Sequence, residues 1–104
     1  MKIVKVDADA GEPPEIRVKR NQNIAIEVHG GGTTGYLWEV VGPPSGLKVH
    51  GHTVEPDLES FGGKGTDRFV VSASRQGSHE MKIELKRPWD RSPAKSVNVK
   101  IAAD

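Results

Sequence analysis

Apolar residues recur at every second position in short runs along the chain, and nowhere hold helical spacing over three turns. Ile24, Ile26 and Val28 alternate with Ala25 and Glu27, and Phe69, Val71 and Ala73 alternate with Val70 and Ser72. Met81, Ile83 and Leu85 alternate with Lys82, Glu84 and Lys86, and Val97, Val99 and Ile101 repeat the pattern near the C-terminus. Successive side chains of a strand point to opposite faces, so each run predicts a strand with one buried face. Weaker versions occur at positions 3–6, 16–18, 38–41 and 47–54. β-branched residues dominate the apolar set, as strands favour.

The 12 glycines and 7 prolines fall between these runs. Seven or eight short strands, with turn signals roughly every 8–12 residues, predict an all-β fold, either a sandwich or a barrel. The immunoglobulin-like antiparallel β-sandwich fits better, with Trp38 buried in a middle strand and inward residues of both sheets around it. No disulfide can join those sheets, because the chain has no cysteine. With 104 residues and no linker, repeat or low-complexity tract, residues 1–104 form a single domain.

Charge narrows the function. Fifteen basic residues stand against fourteen acidic ones, and a net charge of +1 gives no reason to expect nucleic acid or a membrane surface as partner. No apolar run approaches the ~20 residues that cross a bilayer. The lack of cysteine removes thiolate metal sites and any cysteine nucleophile of the protein's own. The first twenty residues are too charged for a signal peptide. As written the chain therefore points to the cytoplasm, or to the periplasm or secretion if a signal peptide has been removed. A monomer is expected.

The five aromatic residues are the informative ones. Trp38 and Phe69 lie within strand patterns and belong in the core. Tyr36 follows Gly30-Gly31-Gly32-Thr33-Thr34-Gly35, at the start of a strand where its ring can turn inward. Phe61 precedes Gly62-Gly63-Lys64-Gly65, and Trp89 follows Arg87-Pro88. Trp89 is hard to place in a core, since the polar run Asp90-Arg91-Ser92-Pro93 comes next. Trp and Arg are enriched among binding hot spots, and a proline between them fixes the backbone that displays them. Seven of the twelve glycines fall in two segments, 30–35 and 62–65, where either positive-φ turns or a close backbone approach would need them. In an immunoglobulin-like sandwich these two segments and the one around Arg87 correspond to three connections that gather at one end.

Together the three segments carry a family likeness. Thr33-Thr34-Gly35-Tyr36, then Gly62-Gly63-Lys64-Gly65, then Arg87-Pro88-Trp89 resemble, in order and separation, the three motifs of the chagasin family of cysteine-peptidase inhibitors. Gly77-Ser78-His79 resembles the Gly-Thr-His that opens the family's strand before Arg-Pro-Trp. Two departures stand out: Gly31-Gly32 replaces the family's Asn-Pro, and Lys64 stands where the family has glycine. The resemblance implies a reversible, tight-binding inhibitor of papain-like (cathepsin L-like) cysteine proteases. It implies that Gly31, Gly32, Thr33, Thr34, Gly35 and Tyr36 enter the cleft over the catalytic cysteine. Phe61, Gly62, Gly63, Lys64 and Gly65 would then lie along the unprimed side, and Arg87, Pro88 and Trp89 along the primed side. No cofactor, metal or catalytic residue is implied.

Three other readings compete. An enzyme lacks its motifs: there is no Gly-x-Ser-x-Gly elbow, and Ser78, His79 and Glu80 alternate faces of one strand. Gly62-Gly63-Lys64-Gly65-Thr66 does not form the Gly-Lys-Ser/Thr of a phosphate loop. A metal site would start from His50 and His52, expected on one face with Glu55 or Asp57 nearby, although a solvated pair near a sheet edge is the simpler expectation. Finally, a generic immunoglobulin-like binding module for adhesion or carbohydrate could use the same loops.

Overall fold

The alternating runs assemble into eight strands in a computed structural model that describes residues 1–7, 15–29, 36–42, 45–55 and 66–104. They are β1 (Lys2–Asp7), β2 (Glu15–Val18), β3 (Ile24–His29), β4 (Leu37–Val41), β5 (Leu47–Glu55), β6 (Thr66–Ala73), β7 (Gly77–Lys86) and β8 (Lys95–Ala103). No helix occurs among the described residues. One sheet has the order β1-β3-β6-β5 and the other β2-β8-β7-β4. Each strand contributes its apolar parity to one common core, from Ile24, Ile26 and Val28 of β3 to Met81, Ile83 and Leu85 of β7. Trp38 and Phe69 are the largest fully buried side chains. The eight-stranded all-β sandwich is the expected fold.

Two details differ from the expectation. Pairing is antiparallel through the centre of each sheet, but β1 runs parallel to β3 and β2 parallel to β8, so both sheets are mixed. Side-chain alternation reports which face is buried and is silent about partner direction, so nothing in the runs could signal this. Trp38 is buried at 1% exposure, yet β4 is the edge strand of its sheet rather than a middle one. An edge strand is open only along its hydrogen-bonding side, and its inner face is as dry as any other.

The outer faces are polar and paired. Arg68 donates from Nε and Nη2 to Glu27 Oε2, at 3.0 and 2.6 Å, across the rung where β3 meets β6. His79 is half-buried on the inner parity of β7, between exposed Ser78 and Glu80. Its Nε2–H donates to the Arg75 carbonyl at 2.9 Å, bracing the turn between β6 and β7. Gly46 lies against the His79 ring so closely that a Cβ there would overlap it, which explains glycine at this position.

Candidate functional site

Residues 74–76 alone connect β6 to β7, and this fixes the geometry of the sandwich ends. With so short a link, the end of β6 and the start of β7 lie at one end of the sandwich, and Thr66 and Lys86 lie at the other. Register carries the remaining strands with them. His29, at the end of β3, pairs with Thr66, as does Glu55 at the end of β5. Leu37, opening β4, pairs with Lys86, and Lys95, opening β8, pairs with Leu85. The connections β3 to β4, β5 to β6 and β7 to β8 therefore all leave from, and return to, the same end. Among the candidate residues, Gly31, Gly32, Thr33, Thr34, Gly35, Phe61, Gly62, Gly63, Lys64 and Gly65 lie outside the described residues.

The other four, Tyr36, Arg87, Pro88 and Trp89, come together at the corner where β4 and β7 meet. Residues 87–90 form a β-turn closed by the Asp90 N–H donating to the Arg87 carbonyl at 3.0 Å. Pro88 occupies its second position, where a φ fixed near −65° is already the one required. Asp90 holds the turn from its side chain as well. Its Oδ2 accepts from the Arg87 backbone N–H at 3.1 Å and from Nε at 3.0 Å, and its Oδ1 accepts from Nη2 at 3.0 Å. Such a two-pronged guanidinium–carboxylate fork fixes orientation as well as distance. The side-chain bond to Asp90 raises the Arg87 pKa further, burial opposes this, and the carboxylate charge adds to it. The same fork holds the Asp90 carboxyl below its ordinary range, against the opposing effect of burial and with help from the nearby Lys86 charge.

Arg87 is thereby aimed at two rings. Its guanidinium carbon sits 5.1 Å from the Tyr36 ring centre and 5.4 Å from that of Trp89, both within cation–π range. Tyr36 is half-buried and packs against the core, the inward ring expected at the start of β4. Trp89 is 69% exposed. A large aromatic ring, seated on a cation that is itself locked in place, is thus presented to solvent on a rigid turn. Arg87 thus both stacks and pairs, and its partner is Asp90, which the sequence marks only as part of a polar run. The usable signal was its spacing, a carboxylate three residues after Arg87 with proline between them.

Both histidines of β5 are exposed on an edge strand, as the simpler expectation had it, but they do not share the face that a two-ligand metal site would need. A bulge between Val49 and Gly51 shifts the register, so His50 and His52 turn to opposite sides. His50 Nε2 shares a 2.7 Å hydrogen bond with Ser72 Oγ, whereas His52 Nε2–H donates to Asp67 Oδ2 at 2.7 Å. The His52 ring also stacks on Phe69, with centroids 4.2 Å apart. Asp67 and Ser72 are the buried polar residues among those described, and each is satisfied by one of these histidines. The pair is structural. No group of three or more possible metal-ligating side chains occurs among the described residues.

Known proteins resemble the chain over most of its length. Residues 17–101 match the Chagasin family peptidase inhibitor I42 pattern. The chain belongs to the chagasin family. That membership places it among peptidase inhibitors rather than enzymes. A search of the curated proteins by sequence finds no match. Solved structures share its fold at low identity. The cysteine protease inhibitor EhICP2 from Entamoeba histolytica superposes with a TM-score of 0.78 at 17% identity, covering 99% of this chain and 96% of that one. Amebosin gives 0.75 at 19% identity, over 100% and 99% of the two chains. PbICP-C, solved in complex with falcipain-2, gives 0.67 at 14% identity over the whole of both chains.

Proposed function

We propose that this chagasin-family protein inhibits papain-like cysteine proteases reversibly and tightly, by filling the active-site cleft with three connections at one end of its sandwich. The observation that carries the reading is the turn at residues 87–90, which displays Trp89 at the end where all three connections depart. In this reading Gly31, Gly32, Thr33, Thr34 and Gly35 approach the catalytic cysteine, because glycine adds no side chain to a narrow cleft and threonine hydroxyls hydrogen-bond without bulk. Phe61, Gly62, Gly63, Lys64 and Gly65 flank one side. Arg87, Pro88 and Trp89 flank the other, with Trp89 against an apolar surface of the enzyme. That PbICP-C was solved in complex with falcipain-2 supports a partner of this kind.

A three-point wedge of this size covers on the order of 800 Å² per partner, enough for a specific complex. The rigid turn lowers the ordering cost of binding, which separates tight from weak interfaces of equal area. The test is titration of papain and of a cathepsin L-like enzyme, read with a fluorogenic peptide. Stoichiometric, reversible loss of activity with the inhibitor chain intact is the expected result. Full protease activity after prolonged incubation, or cleavage of the 31–36 segment at the rate of a peptide substrate, overturns it.

A further inference from the structure

The charges around the turn are unevenly distributed. Residues 86–95 hold four cations, Lys86, Arg87, Arg91 and Lys95, against one carboxylate, Asp90, in a chain whose net charge is only +1. The bonds described above commit Asp90 to Arg87 through both of its oxygens, so that pair closes on itself. Arg91 is exposed on the loop, and Lys86 is half-buried at the end of β7, close enough to Asp90 to lower its pKa. The nearest carboxylates on this outer face of β7 and β4 are Glu84 and Glu39, register partners two rungs further from the loop. Positive charge thus lies toward the end and negative charge behind it.

Apolar surface accompanies the cations. Leu37, the register partner of Lys86, is 53% exposed at the mouth of β4, and Trp89 is more exposed still. Apolar anchors beside cations fit a partner whose own apolar patch is edged by carboxylates. Exposed charges of this kind act chiefly on encounter, by steering diffusion and rejecting like-charged surfaces, and they do so less as salt screens them.

Building on the inhibitor reading, we propose that Arg91 and Lys86 are specificity-determining residues. They speed docking onto proteases whose surface beside the Trp89 contact is acidic, and they disfavour proteases that are basic there.

The experiment measures association and dissociation rates with a cathepsin L-like protease of acidic pI, at 20 and 300 mM salt. The proteins are the parent, Arg91→Glu, Lys86→Glu and Lys82→Glu, each with its thermal melt recorded. Lys82 lies on the same outer face, four residues or about 13 Å further along β7. Charge reversal at Arg91 or Lys86 should slow association about three- to tenfold at 20 mM salt, with the difference closing at 300 mM and dissociation changed less than about twofold. Lys82→Glu, further from the Trp89 contact, should slow association less than either of these reversals. Association of both reversed variants at the parent's rate in 20 mM salt overturns the proposal, as does an effect confined to dissociation. Absence of inhibition by the parent overturns the underlying reading instead, and is visible before any variant is made.

Discussion

Replacing Trp89 with alanine separates binding from folding, because the side chain contributes to the surface and hardly to the core. A Trp brings roughly 150–250 Å² of surface. With Trp89 69% exposed, about 100–170 Å² of that remains to be covered by a partner. At ~25 cal/mol per Å² this corresponds to about 2.5–4 kcal/mol if coverage is complete. A loss of at least ~2 kcal/mol is therefore expected, roughly a thirtyfold rise in the inhibition constant. Stability should barely respond. The turn keeps its Arg87–Asp90 fork and its closing backbone bond, and Arg87 keeps the Tyr36 ring. Substitutions of exposed side chains stay within about 0.5 kcal/mol, or at most about 4 °C in melting temperature for a domain of this size. The assay is tight-binding inhibition of a papain-like protease beside a thermal melt of the same preparation. An inhibition constant within threefold of the parent, with an unchanged melt, would remove Trp89 from the interface and refute the area calculation.

The other tryptophan should behave oppositely: Trp38→Ala, at 1% exposure, is expected to cost about 3–5 kcal/mol of stability in chemical denaturation. Gly46→Ala should lose about 1–3 kcal/mol through overlap with the His79 ring, and Gly46→Ala/His79→Ala should be less destabilised than the two single changes summed. Asp90→Asn removes the carboxylate from the fork and leaves Arg87 and Trp89 to be ordered on binding, weakening inhibition about two- to tenfold. Because the folded state depresses the Asp90 pKa, the fork's contribution is complete above the ordinary carboxylate value of about 4, and fades only as pH falls through Asp90's own lower value. The Trp89 indole N–H signal should accordingly hold its position from pH 7 to about pH 5. A titration midpoint inside that window would contradict the assignment.

The core was legible because burial in a sandwich has a period of two, and the four strongest runs write that period without interruption: their odd or even members, such as Ile83 and Val99, are fully buried. Tyr36 and Trp89 were legible for the converse reason, since neither had a place within a run. Contacts fixed by distant pairing could not be read. The burial of Asp67 depends on His52, fifteen residues earlier, and His52 reaches it only because of the bulge at His50. A two-residue spacing on a strand otherwise predicts a shared face, and one unpaired residue was enough to reverse it. The Arg87 fork sits between these cases. Its partner is local, and the Arg-Pro-x-Asp spacing is itself a turn signal, so only the commitment of both carboxylate oxygens lies beyond the sequence.

The parallel pairing of β2 with β8 has a mechanical consequence. Val18 lies opposite Ala103, and Glu15 opposite Lys100, so the strand nearer the beginning of the chain is bonded along its length to the last. Tension drawing Glu15 and Ala103 apart acts along two parallel strands in opposite senses, and so slides them past each other. The bonds of that short ladder then share the load and yield together, whereas a hairpin pulled at its open end unzips one rung at a time. The far end of the sandwich is thereby clasped against unravelling by force, with the clasp set well away from the turn that presents Trp89.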